Sequence, residues 1–183
     1  PEDLGQCTDA KFTLELTTEE PIYRRQRRLS LAESEFAEEQ IALLLKCGAI
    51  RESKSAYATR VTMAPKKDSE GKLTAMRMCG DFRGINEKTH PFSYPMKTPE
   101  EIFDGVAGAE WFSTSDFKQG FNQIRMREED RDKTAFHGPN GTFYEWCVMP
   151  FGLKNASAVF QSIMDRILRS CRHSQCYIDD VLT

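Results

Sequence analysis

Two adjacent aspartates, Asp179 and Asp180, separate two short runs of strand-forming residues, Cys176-Tyr177-Ile178 and Val181-Leu182-Thr183. Asp is disfavoured in strands, and neighbouring anions repel each other. A hairpin turn accounts for the backbone, because Asp tolerates turn conformations. A bound divalent cation would account for the charge. The pattern alone leaves a metal site and a plain Asp-Asp turn both open. A second acidic position bears on the choice, since Asp116 ends the β-rich run Phe112-Ser113-Thr114-Ser115-Asp116. Carboxylates from two strand ends could form the oxygen-rich site that Mg²⁺ prefers, with water and substrate phosphates completing its octahedron. Two such ions, roughly 3.5–4 Å apart, would activate a 3′-hydroxyl and steady a leaving pyrophosphate. That chemistry is phosphoryl transfer by positioning and charge neutralisation.

Local patterns supply the elements around these aspartates. Residues 1–28 are polar and interrupted by Pro, which predicts an extended arm. Ser30 with Glu33 fits a capping box, and Phe36, Ile41, Leu44 and Leu45 predict an apolar helix face that stops at Gly48. Tyr57 to Ala64 and Leu73 to Cys79 read as strands joined by a polar, Gly-ended loop over 66–71, which would place Lys66 and Lys67 at its tip. Thr98-Pro99-Glu100-Glu101 supplies an N-cap, a Pro at the first helical position and a capping Glu, so a short helix should run to about Ala107. Trp111 to Asp116 is strand-like. After a charged turn over Arg127 to Asp132, two strands flank Gly138-Pro139-Asn140-Gly141, whose Asn-Gly pair is a hairpin signal. Phe160, Ile163, Met164, Ile167 and Leu168 then fall at helical spacing and predict an amphipathic helix facing a sheet.

With 183 residues the chain can form one sizeable domain, with or without a satellite layer. Its six cysteines are irregularly spaced and sit mostly in apolar segments, which predicts reduced thiols in an intracellular protein. Cys171, His173 and Cys176 offer three soft ligands, but a closed zinc site wants a fourth, so these read as helix-end and strand residues. The chain has no apolar run of the ~20 residues that span a bilayer and no signal-type segment at its start, so no membrane partner is expected. The net charge of -3 departs from the basic footprint of nucleic-acid binders. An enzyme that holds cations must carry uncompensated carboxylates, however, and basic residues concentrate in Arg24-Arg25-Gln26-Arg27-Arg28. That run reads equally well as a solvated turn.

Four segments together carry a resemblance. Tyr177-Ile178-Asp179-Asp180 resembles the Tyr-X-Asp-Asp signature of reverse transcriptases, and Phe112 to Met126 resembles the first catalytic segment of that family. Val148 to Gln161 resembles the segment that contacts template and nucleotide, and Arg77 to Arg83 with Asn86 resembles the fingers segment. They occur in the family's order over residues 20–183. Met149-Pro150-Phe151-Gly152-Leu153 is similar to LTR retrotransposons of the gypsy class, while Tyr144-Glu145-Trp146 is also seen in plant pararetroviruses. The resemblance implies that Asp116, Asp179 and Asp180 are the catalytic, metal-binding carboxylates. It also implies nucleotide contacts from Lys66, Arg77, Phe121, Phe151, Gly152 and Gln161, with Phe121 as the steric gate against a ribose 2′-hydroxyl. Read alone, Lys66 and Arg77 are surface hairpin charges, Phe121 is a core aromatic, and Phe151-Gly152 belongs to a turn. Gly80, at a position usually β-branched, and Ser115, where an apolar residue is usual, are departures expected to weaken packing rather than chemistry.

The resemblance implies an α/β (α+β) fold, a polymerase palm with a mainly antiparallel sheet backed by helices, plus a fingers subdomain. Residues 1–19 would be an arm, fingers would occupy largely 20–90 and palm largely 91–183. The implied function is RNA-directed DNA polymerase activity, with two Mg²⁺ ions (Mn²⁺ as a possible substitute), deoxynucleoside triphosphates, and an RNA or DNA template with primer. The alternatives are a decayed or domesticated element kept as a non-catalytic nucleic-acid-binding or structural protein, and an RNA-templated RNA polymerase. Retention of all three carboxylates argues against the first, and the bulk of Phe121 argues against the second. The chain lacks an initiator Met and ends just as a strand resumes, so it is expected to be a fragment of a retroelement polyprotein without thumb or ribonuclease H. Alone it is expected to bind duplex weakly and to extend a primer barely. A cytoplasmic virus-like particle or the nucleus is the expected location.

Overall fold

The structure, a computed structural model, describes residues 4–67, 73–171 and 173–183. In chain order the elements are β1 (Lys11–Phe12), α1 (Leu31–Lys46), β2 (Ile50–Glu52), β3 (Val61–Lys67), β4 (Leu73–Gly80), α2 (Arg83–Glu87) and α3 (Pro99–Gly105). There follow β5 (Thr114–Asp116), β6 (Arg125–Met126), β7 (Phe136–His137), β8 (Phe143–Trp146), α4 (Ala156–Ile167), β9 (Gln175–Tyr177) and β10 (Asp180–Leu182). The fold is α/β with mainly antiparallel pairing, as expected. Two antiparallel sheets run β5-β10-β9 and β2-β8-β7, and β3-β4 forms a separate antiparallel hairpin. No helix of the described residues is long and apolar enough to cross a membrane.

Short-range chemistry sets the helix ends. Ser30 accepts from the Glu33 amide at 3.3 Å while its own amide donates to the Glu33 carboxylate at 2.8 Å. These bonds hold the Glu33 carboxyl below its usual range. Thr98 and Glu101 form the same reciprocal cap on α3. Along α1 the core takes Ala37 and Ile41, with Phe36 and Leu44 half-buried, whereas Leu45 is exposed, so the buried stripe is narrower than predicted. In α4, Phe160, Ile163 and Met164 are buried but Ile167 is exposed on the last turn. Strand β3 begins at Val61 rather than Tyr57 and extends through Lys67, so Lys66 and Lys67 belong to the strand backbone rather than to the connecting loop.

The arm is the largest departure from expectation. Phe12 and Leu14 are fully buried, and β1 pairs in parallel with β6. The Leu14 amide donates to the Asp130 carboxylate at 3.0 Å, and Lys133 donates both to the Leu14 carbonyl at 2.9 Å and to Asp130 at 2.5 Å. Asp130 is buried, so this ion pair is compensated on both sides, as a buried charge requires. Farther along, the Gln26 amide bonds both backbone groups of Val61, at 2.9 and 3.1 Å, and so imitates a strand neighbour.

Because Phe12 fills the core, Phe12→Ala should lower the unfolding free energy by about 3–5 kcal/mol. The shift of the denaturant midpoint measures it. A loss within about 0.5 kcal/mol, as for an ordinary surface substitution, would show that the arm lies outside the cooperative unit.

Candidate active site

The register of β9 against β10 pairs Tyr177 with Asp180, so the connecting residues are Ile178 and Asp179. This corrects the expected Asp-Asp turn, because Asp180 is the first residue of a strand. The left-handed conformation falls on Ile178 at φ 57°, a position that disfavours β-branched side chains. Four hydrogen bonds hold it. Gln161 on α4 accepts from the Ile178 amide at 2.7 Å and donates to the Cys176 carbonyl at 2.9 Å. The Cys176 thiol donates to the Ile178 carbonyl at 3.1 Å, and the Asp179 carbonyl accepts from the Phe117 amide at 3.2 Å. Gln161 is itself oriented by Asp165, at 2.8 Å, which in turn accepts from the Tyr94 hydroxyl at 2.7 Å.

Strand β10 lies in the middle of its sheet, and its other neighbour is β5, with Asp180 directly opposite Asp116. Side chains at directly opposed positions share a face, and like charges there destabilise the sheet. Asp116 and Asp180 are exposed and Asp179 is half-buried. Among the described residues no side-chain hydrogen bond or ion pair engages any of the three carboxylates. Burial, then the nearby Asp165, Asp179 and Asp180, push the Cys176 thiol up to about 11, so it stays protonated and able to donate.

The donor set suits a hard divalent cation, since it consists of oxygen only, open to solvent and without a compensating side chain. No group of three or more His, Cys, Asp or Glu among the described residues is already gathered into a metal-holding cluster. The carboxylates thus form an open patch rather than a closed cage, which fits an ion that keeps several waters and substrate oxygens.

Beside the patch stands a row of aromatic rings. Phe121 lies in a 3₁₀ turn over Gly120–Gln123, only 7% exposed, between Phe151 (centroids 4.9 Å apart, planes 24° apart) and Phe160 (5.2 Å). Phe160 in turn meets Phe117 edge-on at 5.9 Å. Phe151 is 51% exposed. Its turn contains Gly152 at φ 95° and is tied to α2 by Asn86, which donates to the Gly152 carbonyl and accepts from the Lys154 amide, both at 2.8 Å.

The two departures from the family pattern do not weaken packing. A Cβ on Gly80 would come within 2.6 Å of the buried Phe82 ring, so only Gly fits there. Ser115 is exposed, where a polar residue costs nothing. Arg77 is exposed on β4 and pairs with none of the three carboxylates. The Lys66 backbone pairs with Ala75, and its side chain lies outside the described residues. Gln161, expected among the nucleotide contacts, is 1% exposed with both amide atoms bonded inside the protein, so in this structure it supports the hairpin. A buried Gln beside Phe160 on an apolar helix face was the signal that could have revealed this.

Gln161→Leu would leave the Ile178 amide and the Cys176 carbonyl without partners, at about 1–3 kcal/mol for each buried group left unsatisfied. Hydrogen exchange at the Ile178 amide should accelerate in that variant. Unchanged protection would mean that the turn holds itself.

Residues 64–183 match the family described as reverse transcriptase (RNA-dependent DNA polymerase). The chain is 40% identical over 179 residues to the retrovirus-related Pol polyprotein from transposon gypsy of Drosophila melanogaster, covering 96% of this chain and 17% of that protein. It is 38% identical over 183 residues to the Pol polyprotein from transposon 297 of the same fly (99% and 17%), and 35% identical over 177 residues to the transposon Tf2-3 polyprotein of Schizosaccharomyces pombe (94% and 13%). Among solved structures, it superposes on the foamy viral protease-reverse transcriptase in complex with RNA/DNA hybrid with a TM-score of 0.86 at 22% identity, covering 98% of this chain and 23% of that one. The selenomethionine-labelled CSH mutant of the prototype foamy virus enzyme gives 0.84 at 23%, with the same coverage. The chain belongs to the reverse transcriptase family, with polyproteins of gypsy-class LTR retrotransposons as its relatives.

Proposed function

We propose that this chain carries the polymerising centre of a retrotransposon polyprotein and extends a primer on an RNA or DNA template with deoxynucleoside triphosphates. The observation that carries the reading is the β5–β10 register, which sets Asp116 against Asp180 beside Asp179 without a cationic partner. Asp116, Asp179 and Asp180 would hold two divalent cations, Mg²⁺ or Mn²⁺ in its place. When bound, these supply charge neutralisation for the attacking 3′-hydroxyl and the leaving pyrophosphate.

The protein's own residues supply positioning. The Gln161 bonds fix the hairpin backbone, so the carboxylates need not reorganise as charge develops. Phe121 and Phe151 offer an apolar wall next to Asp116. Arg77, with Lys66, would attract the triphosphate from the β3–β4 hairpin, an Arg fork and a Lys point charge both suiting phosphate oxygens. Relatives solved with RNA/DNA hybrid and with double-stranded DNA support a duplex as the macromolecular partner.

In the longest polypeptide that carries this chain, Asp116→Asn should lower single-nucleotide incorporation by several orders of magnitude while duplex affinity changes little. The lost charge acts mainly at the reacting centre. Incorporation at the wild-type rate would sink the assignment.

A further inference from the structure

We infer that nucleotide sugar selection is set by the stacked pair Phe151 and Phe121 acting as one wall, with Phe151 as the face the sugar touches and Phe121 as its buried backing. This rests on the polymerase reading and refines it. A ring that is 7% exposed offers a ligand almost no surface, whereas the ring stacked on it is 51% exposed. At 4.9 Å and 24° the two faces are in van der Waals contact, so neither ring moves without the other. Phe121 cannot retreat, because its far side meets Phe160, which is buried and backed by Phe117. Phe117 directly follows Asp116, so the row of rings starts next to a carboxylate and ends at the surface in Phe151.

The backbone around Phe151 keeps its ring in place. Gly152 takes a left-handed φ of 95° that other residues resist, and both Asn86 bonds close on this turn. The Gly152 Cα faces the Phe82 ring, with only 3.6 Å available to a Cβ, so the turn is seated against the base of the β3–β4 hairpin. A held, half-exposed aromatic over a buried one is a rigid steric surface. Trimming only the backing would let the outer ring settle into the vacated space, so it would open less room than the volume removed.

The experiment compares single-nucleotide incorporation of deoxy- and ribonucleoside triphosphates by the longest polypeptide carrying this chain, as wild type, Phe121→Val, Phe151→Ala, Phe151→Leu and the double variant Phe121→Val with Phe151→Ala. A steric pocket change of this size is worth about 10–200-fold in discrimination. Phe151→Ala should lower the ratio of kcat/KM values by about tenfold or more, with Phe151→Leu in between. The double variant should fall short of the product of the two singles, because residues in contact do not act additively. A general loss of stability would scale both substrates alike and leave the ratio unmoved, which separates selection from structure. If both Phe151 variants keep the wild-type ratio while Phe121→Val loses it, Phe121 acts alone and the pair is refuted. Strictly multiplicative effects refute it as well. If the wild type incorporates neither substrate, the polymerase reading falls, and this inference with it.

Discussion

The hydrogen bonds from the Gln161 side chain to the backbone of Cys176 and Ile178 are the constraint on which the candidate centre depends. They tie a two-residue turn to a helix whose other buried side chains belong to the main core. Without them a β-branched residue at positive φ has little reason to stay there, and the aspartate after it would lose its fixed direction. A buried amide of this kind must be fully satisfied to be tolerated at all. Asp165 and Tyr94 complete that accounting, so the precision of the hairpin is paid for by a chain of polar contacts reaching α4 and the segment before α3.

The charge distribution follows the same logic. Where a carboxylate serves structure it is paired: Asp130 with Lys133, Asp81 with Arg83, Glu145 with Arg51. Asp116, Asp179 and Asp180 lack such partners among the described residues, although they are close enough to disfavour one another. A net charge of -3 is therefore compatible with binding a polyanion, because the unpaired anions gather where cations would be held.

The helix caps at Ser30 and Thr98, the Asn140-Gly141 hairpin and the stripe along α4 were legible because each is written within a few neighbouring residues. The catalytic carboxylates were legible only through the resemblance of their surrounding motifs. The register that opposes Asp180 and Asp116 joins segments far apart in sequence, and no local pattern encodes it. The left-handed Ile178 was hidden because β-branched residues argue against that conformation. The burial of the arm did leave a trace: Phe12, Leu14 and Leu16 alternate with polar residues, a strand signal that the surrounding polarity masked. The stacking of Phe151 on Phe121 could not be read, since each ring taken alone looks like core or turn.

The docking of the arm has a consequence for the order of assembly. The backbone of Leu14 is closed by Asp130 and Lys133, which follow it by 116 and 119 residues. At ~5–20 residues per second of synthesis, the partner groups are made about 6–25 s after the arm. During that interval Phe12 and Leu14 have no core to enter, and the fold completes by a late, long-range closure of the kind that slows folding. The first segment to be made is thus among the last to find its place, which makes the nascent chain's earliest apolar residues the ones a chaperone would meet first.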